Sequence, residues 1–452
     1  MRKILLILGD ISILYLSLFL TLVIRYGGNF DSQINIHLLP FSIVFALGLI
    51  ILYIFNLYNI ETNKNNPSFF SSLINAVMIM AGSAAVLFYI IPAFGIAPKT
   101  NLVIFSLVFI ILEFFWRFAF NKIIVGSGFK NNTIIVGFNQ LAVDLAQYLY
   151  SNPQAGYRLK YILDVQNNSA FSLEDVEFKI IENSKDLREI LKKENIRTVI
   201  LSPEAYGIPE MVNVFYKNIG SGTIFYNLSN FYEKTTARVA LDALDQTWFL
   251  ENLNENSKRA YEVAKRLGDV IGAIVLGAIS LVFYPFIMFA IKWESAGPVF
   301  YKQEREGKDG EIFNIIKFRT MVVDAEKQGV LWAQENDPRI TKIGKFLRKT
   351  RIDEIPQLWN ILKGHMAFVG PRAERPEFRN KLKKEVPFYE ERYLIKPGLS
   401  GWAQVRYKYG ASVADTREKL QYDLYYIKHR SVSFDLGIIL QTIRIALAGG
   451  GR

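Results

Sequence analysis

The chain has 452 residues, of which 51% are hydrophobic, a net charge of +11 and no cysteine. The absence of cysteine excludes disulfide bonds and thiolate metal sites. The length predicts two or three domains, and the basic excess predicts contact with anionic lipid head groups or phosphorylated molecules.

The first part of the chain contains four apolar runs, each near the roughly 20 residues that a membrane-crossing helix requires. They cover residues 4–24, 38–58, 72–91 and 102–120. We therefore predict a transmembrane anchor of four helices over residues 1–125. Arg2 and Lys3 precede the first run, and Arg117 and Lys122 lie at the end of the fourth. Because basic residues prefer the cytoplasmic side, both ends of the anchor are expected there.

The next segment, 126–250, changes to alternating strands and helices. Strands are predicted at 133–136, 159–163, 198–201 and 222–227, and helices at 141–150, 184–193 and 211–218. This alternation predicts a doubly wound parallel α/β sheet. Gly137 follows the first strand, but Phe138 and Asn139 stand where a dinucleotide site needs small residues. We therefore predict a degenerate Rossmann-like module with a structural or regulatory role.

A fifth apolar run covers residues 267–291, with Lys265 and Arg266 before it and Lys292 after it. A full crossing would move the rest of the chain to the opposite side of the membrane. Pro285 removes a helix hydrogen bond and kinks the axis. We predict a re-entrant helix that is broken at Pro285 and leaves by the face it entered. A kinked spanning helix is the alternative that hydropathy leaves open.

Asp353 and Glu354 are the most informative pair in the chain. The plain interpretation is that Asp353 caps a helix that has Pro356 in its first turn and ends at Gly364, with Glu354 complementing the helix dipole. In the chemical interpretation, one carboxylate attacks phosphorus and the other holds a divalent metal. The flanking cations are expected to depress both pKa values; they are Arg348, Lys349, Arg351 and Lys363.

Further cations suited to a phosphorylated substrate stand on either side of this pair. Lys317 and Arg319 lie two residues apart in a predicted strand, so both are expected on one face. Arg348 is the cation chosen for direct phosphate contact. Arg372 follows Gly370-Pro371 in a rigid turn, and its planar guanidinium suits bidentate phosphate binding.

Four motifs in a fixed order carry a resemblance to a known family. They are Lys317-Phe318-Arg319, Asp353-Glu354-Ile355-Pro356-Gln357, Val369-Gly370-Pro371-Arg372 and Pro397-Gly398-Leu399-Ser400-Gly401. Over residues 261–452 the chain resembles the bacterial sugar transferases, which are polyprenyl-phosphate phosphoglycosyl transferases. The family usually has Pro-Arg-Pro where this chain has Pro371-Arg372-Ala373, a difference expected to affect the rigidity of the loop more than its chemistry.

The resemblance implies a fold, a reaction and a set of residues. The catalytic domain is expected over residues 251–452, monotopic and mainly helical, on the cytoplasmic face of the bacterial inner membrane. It implies transfer of a sugar-1-phosphate from a UDP-sugar to undecaprenyl phosphate, with release of UMP. Asp353 would form a covalent phosphosugar intermediate, and Glu354 would bind Mg²⁺. Substrate-binding roles fall on Lys317, Arg319, Arg348, Arg351, Gln357 and Arg372.

Two other interpretations remain open at this point. One is a non-catalytic membrane scaffold or regulator that senses a ligand through the α/β module, and the other is a membrane-bound oxidoreductase or sugar-nucleotide-modifying enzyme that uses this module. Nucleic acid is not expected as a partner, because no nucleic-acid-binding motif is present. Inner-membrane lipid is expected as a partner, a homo-oligomer is left open, and the sequence does not reveal which sugar is transferred.

Overall fold

The computed structural model describes residues 2–59, 65–91, 99–126, 131–165, 179–181, 187–218, 220, 222–253, 258–323, 325, 337–407, 410 and 412–447. The chain divides into two compact units, Met1–Phe231 and Tyr232–Arg452. The domain boundaries predicted after residues 125 and 250 stay predictions.

The first unit begins with four long helices: α1 (Arg2–Tyr26), α2 (Phe30–Ile54), α3 (Pro67–Ile90) and α4 (Lys99–Gly126). Three stretches of the described chain are long and apolar enough to cross a membrane, namely Lys3–Ile54, Pro67–Ile90 and Thr100–Ile123. The first of these has 52 residues. A turn at Gly27–Asn29, where Gly27 has a φ of +56°, divides it into α1 and α2. The prediction of apolar helices at the N-terminus is confirmed.

Polar contacts show how these four helices are arranged. At one end of the bundle, Arg117 on α4 donates to Asp10 on α1 and to the carbonyl of Leu57, which follows α2; both distances are 2.5 Å. At the other end, Asn101 on α4 lies 2.7 Å from the ring of His37 on α2. The start of α1 and the end of α4 therefore lie at the same end of the bundle.

The rest of the first unit is a parallel α/β module. Its elements are β1 (Asn131–Val136), α5 (Gln140–Ser151), β2 (Tyr157–Leu163), β3 (Lys179–Ile181), α6 (Leu187–Lys193), β4 (Ile196–Leu201), α7 (Pro203–Tyr206), α8 (Pro209–Lys217), β5 (Ile224–Asn227) and the start of α9 (Leu228–Thr236), a helix that ends in the second unit. The strand order is β3-β2-β1-β4-β5, and every pairing is parallel. The predicted parallel sheet is confirmed. The strand β3 was missed, and residues 184–186 of the helix predicted at 184–193 lie outside the described residues.

The turn after β1 depends on a glycine and places a carboxylate beside the first turn of α5. Gly137 has a φ of +106°, and a side chain there would clash with Ser202. Asn139 caps α5 by accepting from Ala142 N at 3.0 Å, and its amide donates to the carboxylate of Glu204 at 3.3 Å. A carboxylate beside the first turn of this helix disfavours a pyrophosphate there.

The second unit is mainly helical, as predicted. Its elements are α10 (Gln246–Asn252), α11 (Arg259–Leu281), α12 (Tyr284–Glu294), β6 (Phe300–Glu306), β7 (Ile312–Phe318), α13 (Lys342–Lys349), α14 (Leu358–Lys363), β8 (Ala367–Val369), α15 (Pro376–Glu385), β9 (Gly398–Ser400), α16 (Trp402–Arg406), α17 (Val413–His429) and α18 (Val432–Leu447). The strands β6 and β7 form an antiparallel hairpin, and β8 pairs with β9 in parallel.

The fifth apolar run is bent. The axes of α11 and α12 meet at 61° across a break of two residues. The break lies at residues 282–283, and Pro285 lies in the first turn of α12, where a missing N–H removes no helix bond, so the prediction that Pro285 removes a helix hydrogen bond is wrong. Both helices pack into the core of the same unit, because Ala273 on α11 lies in one apolar cluster with Ile361 and Ile291 on α12 lies in another with Phe318.

Candidate active site

The acidic pair lies on a short 3-10 helix, Ile352–Gln357, between α13 and α14. Arg351, just before it, has a φ of +60°, which a non-glycine residue adopts only under some backbone strain. Gly364 ends α14 with a φ of +85°, so the predicted helix stop is confirmed. Asp353 lies inside the 3-10 helix instead of capping α14, so the plain capping interpretation is wrong.

Contacts on both sides of α14 fix the position of the acidic pair. Asn360 donates to Asn314 O on β7 at 2.7 Å and accepts from Ile316 N at 3.1 Å. On the other side, the Arg266 guanidinium of α11 donates to the carbonyls of Ile361 and Leu362 at 2.6 and 2.8 Å. These bonds satisfy carbonyls at the end of α14 and hold the helix between α11 and β7.

Glu354 is nearly fully buried and is surrounded by cations. Its carboxylate lies 3.4 Å from Lys317 Nζ and 3.4 Å from a guanidinium nitrogen of Arg351. Burial alone would raise the pKa of Glu354, but the charges of Lys317, Arg351 and Arg372 outweigh it and lower the pKa to about 2. Glu354 is therefore ionised throughout the physiological pH range.

Asp353 is also buried, but its environment differs from that of its neighbour. Its Oδ1 atom has no hydrogen-bond partner. Burial and the adjacent charge of Glu354 raise the pKa of Asp353 to about 6, against the opposing pull of Lys317, Arg348 and Arg351. The expectation that the flanking cations depress both pKa values holds for Glu354 and is wrong for Asp353, because desolvation outweighs the cations there.

Only some of the predicted substrate-binding residues meet at this point. A small pocket is lined by Lys317, Glu354, Gln357 and Arg372 together with the apolar side chains of Ile315 and Met366. Gln357 has a buried amide nitrogen, Nε2, without a hydrogen-bond partner. The pocket therefore combines one carboxylate and a side-chain amide donor with three cations, namely Lys317, Arg372 and a third, Arg305, that also lines it.

Two other predicted residues are engaged elsewhere. Arg348 donates from Nε to Thr320 Oγ1 at 2.9 Å, near enough to Asp353 to act on its charge. Arg319 donates to the carbonyls of Ser295 and Ala296 at 2.5 and 2.7 Å and does not line the pocket. The structure thus does not bring Arg319 together with Lys317, and its substrate role stays a prediction.

Arg305 is a pocket residue that the sequence analysis missed. It pairs with Phe313 across the β6–β7 hairpin, as Gln303 pairs with Ile315 and Tyr301 with Lys317. Because alternate strand residues share a face, Arg305 and Lys317 point to the same side. Burial and the nearby charge of Arg372 lower the pKa of Arg305 to about 10. A period-two search along β6 opposite Lys317 would have found it.

Mg²⁺ prefers one or two carboxylates together with substrate phosphate oxygens to a cage of protein ligands. Within the described residues, no group of three or more acidic, histidine or cysteine side chains could hold a metal alone. The Glu354 carboxylate, buried and ionised, is an oxygen donor of the kind this ion selects. Glu354 therefore fits a metal whose remaining ligands come from a phosphorylated substrate.

The region that contains this site is similar in sequence to known proteins. The family described as Bacterial sugar transferase matches residues 260–449. The chain is 47% identical over 140 residues to a putative undecaprenyl-phosphate N-acetylgalactosaminyl 1-phosphate transferase of Bacillus subtilis, covering 31% of this chain and 78% of that protein. The chain belongs to the bacterial sugar transferase family. The matched region contains the acidic pair and every residue that lines the pocket.

Two larger members of the family are also similar. A UDP-N-acetylgalactosamine-undecaprenyl-phosphate N-acetylgalactosaminephosphotransferase of Aeromonas hydrophila is 42% identical over 229 residues, which are 50% of this chain and 53% of that protein. A UDP-glucose:undecaprenyl-phosphate glucose-1-phosphate transferase of Escherichia coli is 38% identical over 198 residues, 43% of this chain and 41% of that protein. The matches thus span about half the length of these two relatives.

Proposed function

We propose that this family member transfers a sugar-1-phosphate from a UDP-sugar to undecaprenyl phosphate and releases UMP, at the membrane step that begins a surface polysaccharide. The observation that carries the proposal is the buried Asp353–Glu354 pair beside a pocket lined by Arg305, Lys317 and Arg372. Three cations against one carboxylate leave a positive excess that a diphosphate would neutralise. The names of the similar proteins in Aeromonas hydrophila and Escherichia coli support the substrate class.

The first chemical step is assigned to Asp353. Its carboxylate oxygen attacks the sugar-proximal phosphorus of the donor, and the bond from that phosphorus to the bridging oxygen breaks. UMP leaves with the bridging oxygen and its electron pair, and the sugar phosphate stays on Asp353 as an acyl phosphate. The unpartnered Oδ1 favours this role, because no hydrogen bond has to be broken to free the nucleophile.

The second step transfers the group to lipid. An oxygen of undecaprenyl phosphate attacks the same phosphorus, the bond to the Asp353 oxygen breaks, and the carboxylate is restored. The product is a lipid diphosphate that carries the sugar. Arg305, Lys317 and Arg372 stabilise the phosphate oxygens in both steps, because the charge that develops there lies in a desolvated pocket.

Glu354 is proposed to hold Mg²⁺. When bound, this ion neutralises phosphate oxygens and makes UMP a better leaving group. Replacing Glu354 with Gln is expected to raise the Mg²⁺ concentration needed for half-maximal rate at least tenfold. An unchanged Mg²⁺ titration would remove this assignment.

The membrane arrangement is part of the proposal. We infer that α1 to α4 cross the inner membrane with both ends of the bundle in the cytoplasm, and that α11 and α12 form a re-entrant hairpin. The shared end of α1 and α4 and the 61° bend support this topology. This topology presents the site to a cytoplasmic UDP-sugar and leaves the polyprenyl chain in the bilayer. The chain is then not transferred into water, a transfer that costs about 0.8 kcal/mol per CH₂.

A release assay tests the function directly. The purified protein in nanodiscs with undecaprenyl phosphate is incubated with a panel of UDP-sugars, and UMP and lipid-linked sugar are measured. One donor of the panel is expected to give both products in equal amounts. Failure of every donor would contradict the proposal and favour the scaffold interpretation.

A further inference from the structure

The loop that carries Arg372 is held at four consecutive carbonyl groups. Pro371 O accepts from Gly398 N at 2.9 Å, and Glu374 O accepts from Glu306 N at 3.0 Å. The two carbonyls between them accept from side chains. Arg372 O accepts from the Arg392 guanidinium at 3.1 Å, and Ala373 O accepts from the Arg305 guanidinium at 3.0 Å.

Arg392 is built into the core and does not line the pocket. Its side chain is 5% exposed and is fixed by Asp423 at 3.0 Å and by the hydroxyl of Tyr389 at 3.1 Å. Asp423 is itself 2% exposed, so the ion pair has no access to water. The Nη2 group that donates to Asp423 also donates to Arg372 O, so the ion pair fixes the orientation of this donor.

This arrangement bears on the alanine at position 373. A proline would fix the backbone of the loop at that residue, and Ala373 does not. The bonds from Arg392 and Arg305 restrict the same short segment from outside. The loop therefore keeps a defined path without the second proline.

We propose that Arg392 is a positioning residue: through its bond to Arg372 O it holds the Arg372 guanidinium at the pocket. The expected effect of Arg392 on the reaction rate rests on the proposed function, whereas its expected effect on the loop does not. If it is right, Arg392 acts on the reaction only through Arg372. A residue that merely supported the fold would affect the reaction whether or not Arg372 were present.

Arg392→Lys is the test variant, because it keeps a positive charge beside Asp423 but cannot make the same set of bonds. Arg430→Lys is the matched control. Arg430 is also buried and donates to a carboxylate, Glu262, at 3.0 Å and to the carbonyl of Ile427 at 2.7 Å, but it does not contact the loop.

The kinetic arm is a double-mutant cycle in kcat/KM for the UDP-sugar. Arg392→Lys is expected to lower kcat/KM about 10- to 100-fold, the scale of a small misplacement of a binding group. In an Arg372→Ala background the same change is expected to cost less than about twofold, because coupled residues are not additive. Losses that multiply, or an Arg392→Lys variant as active as the wild type, would overturn the proposal.

The structural arm needs no activity. Hydrogen exchange is measured at the amides of Glu306 and Gly398, which donate to the two outer carbonyls of the loop. Exchange is expected to accelerate in Arg392→Lys and to stay at the wild-type rate in Arg430→Lys. Equal rates in all three proteins would overturn the proposal. If no donor is turned over by the wild type, the proposed function fails, while this arm still decides whether Arg392 holds the loop that carries Arg372.

Discussion

Lys317 Nζ lies 3.4 Å from Glu354 Oε1, and both groups line the pocket. This contact gives the two carboxylates of the acidic pair different electrostatic environments. Glu354 is stabilised as a carboxylate by Lys317 and Arg351. Asp353 has one oxygen without a hydrogen-bond partner, and the negative charge of Glu354 raises the pKa of Asp353. A metal-holding acid and a nucleophile require this difference, since the first must stay ionised and the second must be free to react.

The pH profile of kcat/KM is expected to report Asp353. The nucleophile must be ionised, and its pKa of about 6 predicts that the rate falls about tenfold per pH unit below pH 6. In Glu354→Gln the residual activity is expected to fall off at a lower pH, because the charge of Glu354 helps to raise the pKa of Asp353. Glu385→Gln, a change at an exposed residue of α15, is the control and should leave the profile unchanged. An acid limb that does not move in Glu354→Gln would contradict the coupling.

Asp353→Asn is expected to stabilise the fold at neutral pH. The pKa of Asp353 is about 6 in the folded protein, above its ordinary value of 3.8, so the protonated form is favoured by folding. The destabilisation by the ionised form is therefore absent below pH 4 and complete above pH 6, where it reaches at most about 3 kcal/mol.

This effect is measured as the thermal midpoint of the wild type and the variant from pH 4.5 to pH 8. The variant should gain on the wild type as the pH rises. A variant that loses stability as the pH rises would mean that the Asp353 carboxylate is favoured by the fold, with a depressed pKa.

Arg305→Gln is expected to raise KM for the UDP-sugar at least tenfold. The change removes one of three cations from the pocket, so part of the negative charge of the bound diphosphate is no longer neutralised. Lys302→Gln is the control, because Lys302 is exposed and lies on the opposite face of β6. Steady-state kinetics of the two variants separate the effect of the site from that of net charge. Equal KM values would show that Arg305 does not contact the donor.

Arg117→Met is expected to destabilise the helical bundle by roughly 3–5 kcal/mol, because it leaves Asp10 and Glu113 buried without their cation. Asp10→Asn together with Arg117→Met should recover part of the loss. Thermal unfolding in detergent measures both variants. No change in the midpoint for Arg117→Met would show that the contact contributes little to the bundle.

The elements that the sequence predicted well are those with a strong local pattern. The four helices are long apolar runs, and β1 and β4 each end in three buried apolar residues, 134–136 and 199–201. The strand β3 has three residues and gives no such pattern. Gly364 marked the end of α14 because its backbone preference is a local property, whereas Pro356 lies in the 3-10 helix before α14 and not in the first turn of α14.

The parts of the site that could not be predicted depend on the packing between elements. Arg305 reaches the pocket only through the register of the β6–β7 hairpin. Arg319 was expected on the face of Lys317, but β7 ends at Phe318 and the alternation of the strand does not extend to it. The raised pKa of Asp353 comes from burial, which the count of neighbouring cations does not reveal.

The covalent intermediate on Asp353 is the central claim, and intact-protein mass spectrometry tests it most directly. The wild type is incubated with the active UDP-sugar without lipid phosphate, and Asp353→Asn is treated in parallel. The wild type should gain the mass of one sugar phosphate on the peptide that contains Asp353, and undecaprenyl phosphate should remove it, while the variant stays unmodified and forms no lipid-linked product. Lipid-linked sugar formed at the wild-type rate by Asp353→Asn would contradict the account.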